Sequence, residues 1–261
     1  MTSREEMLCL DDDHISSIEL TTREELAIRH RGMTNEEPHE RIVIYLSQSG
    51  LYGVTFLREF KVMTTLISAL IERWRPKTYT FYLPCGKVTI TLEDVAYQLG
   101  VPINGMPLVL RNTYSLNVVI SNLLGNEAPT DVIDGLRIRM MWLERDFRVD
   151  EQSTKQEVIY AARAYLMTLI GGILLSDKSN NLVHIQYLPI MEDFTVCRQY
   201  SWGYSILTFL YHELCKVTVV VRGKKVDVAG CLVWLQSWAW YRLPFMTPIT
   251  SAPMEFPLAA R

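Results

Sequence analysis

No run of uncharged residues in the chain reaches the length of a membrane span. The most apolar one, Ala164 to Ser176, holds 13 uncharged residues and follows Arg163, whereas a spanning helix needs roughly 20. A buried helix is expected there, and no membrane partner. Cysteine is scarce, with five residues (Cys9, Cys85, Cys197, Cys215 and Cys231), an odd and scattered set without a Cys-x-x-Cys pair. That usage fits a reducing, intracellular compartment, where cysteine behaves as a small hydrophobe. The acidic N-terminus lacks the basic-then-apolar pattern of a secretory signal. Charge of one sign is also lacking. The net charge is −3 with a pI near 6.0, which gives no bulk attraction to nucleic acid or anionic lipid.

What is present is apolar mass. Hydrophobic residues make up 49% of the 261, charged residues 21% and aromatics 10%, enough for a real core in one large domain or two small ones. The charge is unevenly placed. Residues 1–39 hold ten acids and four bases without any aromatic, a balance of −6 that leaves +3 for the remainder. An acidic, partly ordered leader over 1–39, a globular domain over 40–245 and an irregular tail over 246–261 are expected.

Periodicity gives most of the elements. Arg41 to Leu46 reads as strand or helix. Lys61 to Trp74 is helical, with Met63, Ile67, Leu70, Ile71 and Trp74 on one face, and Pro76 closes it. Tyr79, Phe81 and Leu83 alternate with Thr80 and Tyr82 before Pro84-Cys85-Gly86 turns the chain, which predicts a β-hairpin over about 79–90. Thr91 with Asp94 forms a capping box for a helix that stops on Gly100. Further helices are expected at 115–124, 134–147, 154–175, 200–217 and 228–242, an Asx-type turn at Asp177–Asn181, and short strands at 182–187 and 217–221. The fold class is mainly α, a compact multi-helix domain with a small hairpin and one or two further short strands.

These residues carry a resemblance. Thr65-Leu66-Ile67-Ser68-Ala69-Leu70-Ile71-Glu72-Arg73-Trp74-Arg75-Pro76 leads into Thr80-Phe81-Tyr82-Leu83-Pro84-Cys85-Gly86, then Thr89-Ile90-Thr91-Leu92-Glu93-Asp94-Val95-Ala96 and Leu99-Gly100-Val101-Pro102. Later come Asp177-Lys178-Ser179, Leu188-Pro189, Glu192-Asp193-Phe194, Tyr200-Ser201-Trp202-Gly203 and the helix from Gly230 to Trp240. Taken in order over roughly 30–245, they resemble the plant mobile domain, also called the aminotransferase-like plant mobile domain. The tail after Pro244 departs from the family's usual continuation, as a truncated copy would. The resemblance implies plant origin and a tie to transposable elements. It also implies kinship with maintenance-of-meristems-like proteins, which act in the nucleus in transposon silencing, gene expression and genome stability. A phosphatase-seven-like protein is the partner it implies.

The family's "aminotransferase" label can be tested on the residues. A pyridoxal-phosphate enzyme needs a Schiff-base lysine, an acid facing the pyridine nitrogen and a phosphate cup. The chain has eight lysines, and those that can be placed fall on polar faces, turns or a basic loop, with no glycine-rich loop ahead of a helix. No catalytic residue, cofactor or metal is expected. His212 and Cys215 share a helix face and would make half of a zinc site, yet a histidine beside a core cysteine explains them as well. No Gly-x-Ser-x-Gly elbow is present.

Two surface hypotheses remain. Thr91 to Pro102 has the spacing of a helix-turn-helix start, but the next helix would have to run through Pro102, Gly105 and Pro107. Nucleic-acid contact would therefore rest on basic patches, Arg73 and Arg75 near the hairpin and Arg222, Lys224 and Lys225 in a loop. The favoured reading is a non-catalytic interaction module whose surface is Trp74, Arg75, Lys77 and Lys87, since Trp and Arg are enriched in interface hot spots. The tryptophans at 202, 234 and 238 are assigned to the core. An enzyme with an unrecognised site is the third reading.

Overall fold

The computed structural model describes residues 27–28, 37–57, 62–84, 86–110, 115–179, 181–218, 227–243 and 257–260. The leader thus lies almost wholly outside the described residues, as does the basic loop at 222–225. The fold is mainly α with two small three-stranded antiparallel sheets. In chain order come β1 (Ala27–Ile28), α1 (Glu40–Ser49), α2 (Thr64–Arg73), β2 (Trp74–Arg75), β3 (Thr80–Leu83), β4 (Gly86–Val88), α3 (Leu92–Leu99) and α4 (Leu116–Leu124). They are followed by β5 (Ile133–Asp134), β6 (Arg137–Arg139), α5 (Met140–Asp146), α6 (Lys155–Leu169), β7 (Leu182–His184), α7 (Phe194–Cys197), α8 (Trp202–Thr218), β8 (Asp227–Val228) and α9 (Leu232–Arg242).

Local signals set most helix ends. Thr91 accepts the Asp94 amide while the Asp94 carboxylate accepts the Thr91 amide, and Thr154 and Glu157 repeat the arrangement at α6; each such cap contributes about 1 kcal/mol. Gly50, Gly100 and Gly125 close α1, α3 and α4 in the left-handed conformation. The ambiguous 41–46 stretch is helix, capped by the His39 imidazole.

Three expectations are corrected. The helix over 134–147 is instead a β5–β6 hairpin followed by the shorter α5. Asp134-Gly135 turns the chain with Gly135 at φ 59°, and positive φ at the first loop position of a two-residue hairpin is the conformation glycine supplies. Val217 and Thr218 belong to α8 rather than to a strand; the rest of the expected 217–221 strand lies outside the described residues. The hairpin over 79–90 forms, but β2 joins it as a third strand, with Trp74 paired to Phe81 and Arg75 to Thr80.

The core is continuous across both halves of the chain. At its centre, α6 runs on as a π-helical turn, Ile170–Leu174. Lys155–Leu174 is apolar enough by composition to cross a membrane, but 78% of its apolar window is buried against the rest of the protein. Arg163, within this helix, is buried and donates to three backbone carbonyls: Leu123 at 2.8 Å, Met191 at 3.0 Å and Glu192 at 2.9 Å. Its guanidinium also lies 5.8 Å from the centre of the Phe194 ring. One side chain therefore ties α6 to the end of α4, to the 3-10 turn Ile185–Met191 and to the start of α7. Burial lowers its pKa, although an arginine remains charged at any physiological pH.

The motifs shared with the family turn out to be joints. Ser201 donates its amide to the Met106 carbonyl and Gly203 its amide to the Pro102 carbonyl, both at 2.8 Å, while the Trp202 indole donates to the Cys197 carbonyl. A methyl group on Gly203 would stand 2.7 Å from Ile103, and one on Gly105 would stand 2.1 Å from the Gln199 carbonyl oxygen. The Asp177 carboxylate accepts the Ser179 amide at 2.8 Å in the expected Asx turn, and Lys178 reaches the buried Glu213 of α8 at 3.5 Å. Asp193 caps α7. The buried Gln236 of α9 accepts the Met63 amide at 2.6 Å, joining α9 to the start of α2. Beyond 245, the 3-10 turn Leu258–Ala260 packs on α3 and α9, with Ala259 buried.

Two substitutions test these joints. Arg163→Leu should cost about 3 kcal/mol in urea unfolding, because it orphans three carbonyls in a dry environment. Gly105→Ala should cost at least about 2 kcal/mol, because it adds a clash with backbone to a strained positive φ of 122°; Gly135→Ala, which meets nothing within 4 Å, should cost less.

Candidate functional site

The surface expected from sequence sits on the β2–β3–β4 sheet. Strand pairing places Trp74, Phe81 and Val88 on one face and Arg75, Thr80, Tyr82 and Lys87 on the other. Trp74 is the correction. Its side chain is fully buried, with ring centres 4.8 Å from Phe81 and 5.1 Å from Tyr211, and its indole N–H points to the Cys215 sulfur at 3.3 Å. It cannot be a surface anchor in this fold. The hairpin turns Trp74 inward because it pairs opposite Phe81, and the apolar face of a small sheet must cover the core.

Of the basic residues, Arg75 and Lys87 share the outward face, and Lys77 lies on the exposed turn beside them. Arg75 donates to the carbonyls of Glu72 and Trp74, both at 3.1 Å, and Arg73 donates to Ala69 at 2.8 Å. Arg75 thus stitches the end of α2 to the sheet, while the Arg73 bond stays within α2. Arg222, Lys224 and Lys225 lie outside the described residues. The helix-turn-helix reading has no support, because residues 101–110 carry no helix after α3.

Beside the sheet edge, Tyr79 holds φ 52°. Its ring stacks on Tyr211 at 5.7 Å with an 18° interplanar angle. The Tyr211 hydroxyl meets Thr89 at 2.8 Å and also donates to the Ile90 carbonyl. A left-handed tyrosine is strained by about 1–2 kcal/mol, and these contacts fix it. Of the pair that would make half of a zinc site, Cys215 takes the Trp74 indole and His212 is exposed; His184 accepts the Gln186 amide as the cap of a 3-10 turn.

A second feature was not anticipated. A cleft of about 560 Å³ opens between Ser47, Gly50, Tyr52, Gly53, Gly100 to Asn104, and Arg198. Two helices, α1 and α3, end at it on left-handed glycines. Among the described residues Arg198 supplies its sole charged side chain, and it lies over the end of α1, donating to the Ser47 carbonyl at 3.3 Å. The sequence signal was the convergence of Gly50, Gly53 and Gly100, which reads only as punctuation until the chain is folded.

The fold and these surfaces define a helical domain whose motif residues are spent largely on its own joints, leaving a basic sheet face and an open cleft. The chain belongs to the plant mobile domain family, whose model matches residues 50–261 and so includes the stretch past Pro244. Among curated proteins of Arabidopsis thaliana, it is 34% identical over 237 residues to a serine/threonine-protein phosphatase 7 long form homolog, covering 89% of this chain and 17% of that relative. It is 31% identical over 255 residues to Protein MAINTENANCE OF MERISTEMS, covering 95% of this chain and 52% of the relative. Protein MAIN-LIKE 2 is 34% identical over 200 residues, covering 75% of this chain and 30% of its own length. The chain therefore spans about half the length, or less, of these relatives. No solved structure matches it.

Thiol chemistry separates the cysteines. Burial pushes Cys197 and Cys231 up to about 12, whereas Cys215 is only half-buried. Iodoacetamide at pH 8 should modify Cys215 well before Cys197 or Cys231, as read by peptide mass spectrometry. The sign for stability follows from the same shift. The unfolded thiols titrate near 9 and the folded ones near 12, so this contribution is full below pH 9 and lost as pH rises from 9 to 12.

Proposed function

We propose that this chain is a non-catalytic, nuclear protein-interaction module. It acts in transposon silencing, gene expression and genome stability, including meristem maintenance, by docking to a phosphatase-like protein. The observation that carries the reading is the way its relatives are built. The same segment makes up 17% of a phosphatase 7 long form homolog and 52% of a protein named for maintaining meristems. A unit that recurs within longer proteins works beside other parts. The phosphatase relative names the class of partner: what one protein carries in a single chain, another assembles from two.

Direct binding of DNA or RNA is the second reading, and a specific observation favours it. Arg75 and Lys87 project from the outer strands of one sheet on the same face, as a phosphate-contacting patch would.

Affinity purification of the tagged chain from plant nuclei, with and without nuclease, separates the two. A serine/threonine phosphatase 7-like protein retained after nuclease is the expected result. Loss of every partner on nuclease treatment would overturn docking. A steep fall in DNA or RNA binding between 50 and 200 mM salt would then identify the second reading.

A further inference from the structure

The cleft continues into a length of chain that makes a single β-bridge and, among the described residues, is hydrogen-bonded on one side only. Met106 makes a parallel bridge to Tyr200: its amide donates to the Gln199 carbonyl, and its carbonyl accepts the Ser201 amide, both at 2.8 Å. The next four residues, Pro107-Leu108-Val109-Leu110, alternate exposed, half-buried, exposed, half-buried, the period of an extended strand. Backbone groups of alternate residues in a strand face opposite edges. Since those of Met106 face residues 199–201, those of Pro107 and Val109 face away from them. Among the described residues, no backbone hydrogen bond reaches Leu108, Val109 or Leu110. Two side chains here are large, apolar and exposed, Met106 at 44% and Val109 at 67%.

An unpaired apolar edge of this kind invites aggregation unless something covers it. Proline at 107 removes one donor from the edge and so blunts pairing with arbitrary strands. The remaining pattern, with acceptors at Pro107 and Val109 and a donor at Val109, fits the backbone of one extended segment laid in register. The other end of the feature sets the charge of that segment. Gly105 packs against the Gln199 carbonyl, so the edge starts beside Arg198, the single charged side chain lining the cleft among the described residues.

We propose that the cleft and the 105–110 edge form one docking site for an extended acidic peptide segment of a partner protein. The segment adds as a strand along Pro107–Val109 and places a carboxylate against Arg198. This deepens the interaction-module reading and rests on it, but it puts the contact on a different face from the hairpin.

The test uses the full chain and two synthetic probes. One is a ten-residue peptide alternating valine and threonine with a single glutamate; the other has glutamine in its place. The expected result is at least tenfold slower amide hydrogen exchange at Val109 with the glutamate peptide, and at least fivefold weaker binding of the glutamine peptide. Val109→Pro, which deletes the outward donor at an exposed position, should abolish binding, and Arg198→Ala should erase the preference for glutamate. Circular dichroism of both variants should match the parent. Unchanged exchange at Val109 with millimolar peptide overturns the site, as does parental binding by both variants. Protection that grows with protein concentration and needs no peptide overturns the partner assignment in favour of a second copy. Failure to find a phosphatase-like protein in the nuclear purification would leave these outcomes unaffected, so the two readings fail separately.

Discussion

A helix buried along most of its length must find partners for any charge it carries, and the fold depends on how α6 does so. Between Val158 and Leu174 the one charged side chain is Arg163. Among the described residues its guanidinium forms no ion pair; it is spread over three carbonyls at the ends of α4, the 185–191 turn and the approach to α7. Those are the carbonyls that a helix or turn end leaves without an intrahelical partner. The arginine and the loose ends therefore satisfy one another, and four elements are held in one arrangement. Removing either side would leave polar groups buried without partners, which costs more than the bonds themselves contribute.

The same economy runs through the motifs that mark the family. Tyr200-Ser201-Trp202-Gly203 clamps the 102–106 loop onto the start of α8, Asp177-Lys178-Ser179 turns the chain and reaches Glu213, and Asp193 begins α7. Short polar side chains and glycines sit where backbone has to pass close to backbone. What these joints leave at the surface is the outward face of the β2–β3–β4 sheet and the cleft with the chain that continues from it. A module that meets a partner through such surfaces needs a rigid interior, and the aromatic cluster of Trp74, Phe81, Tyr211 and Trp238 supplies one.

The sequence reading succeeded where the governing physics is local. The capping box at Thr91, the glycine stop at Gly100, the hairpin turn and the Asx turn each depend on residues within four positions of one another. It went astray over 134–147, where Leu136, Met140, Leu143 and Phe147 fit a helical stripe while Asp134-Gly135 carried a hairpin signal. The hairpin prevails because β6 pairs with β7, more than forty residues away, through Ile138 and Val183. Trp74 failed as a surface residue for a similar reason: a helix-end tryptophan looks available until β2 joins β3 and swings it over the core.

The sequence by itself determined the helical class, the family, and most helix boundaries, because periodicity and capping act within one or two turns of chain. Tertiary structure alone decided which face of each strand is outward, how Arg163 is satisfied, and that Gly50, Gly53 and Gly100 meet Arg198 around a cleft. Those outcomes rest on contacts between residues tens to well over a hundred positions apart, and the pairing of distant backbone and side-chain groups is set by mutual burial rather than by any local preference.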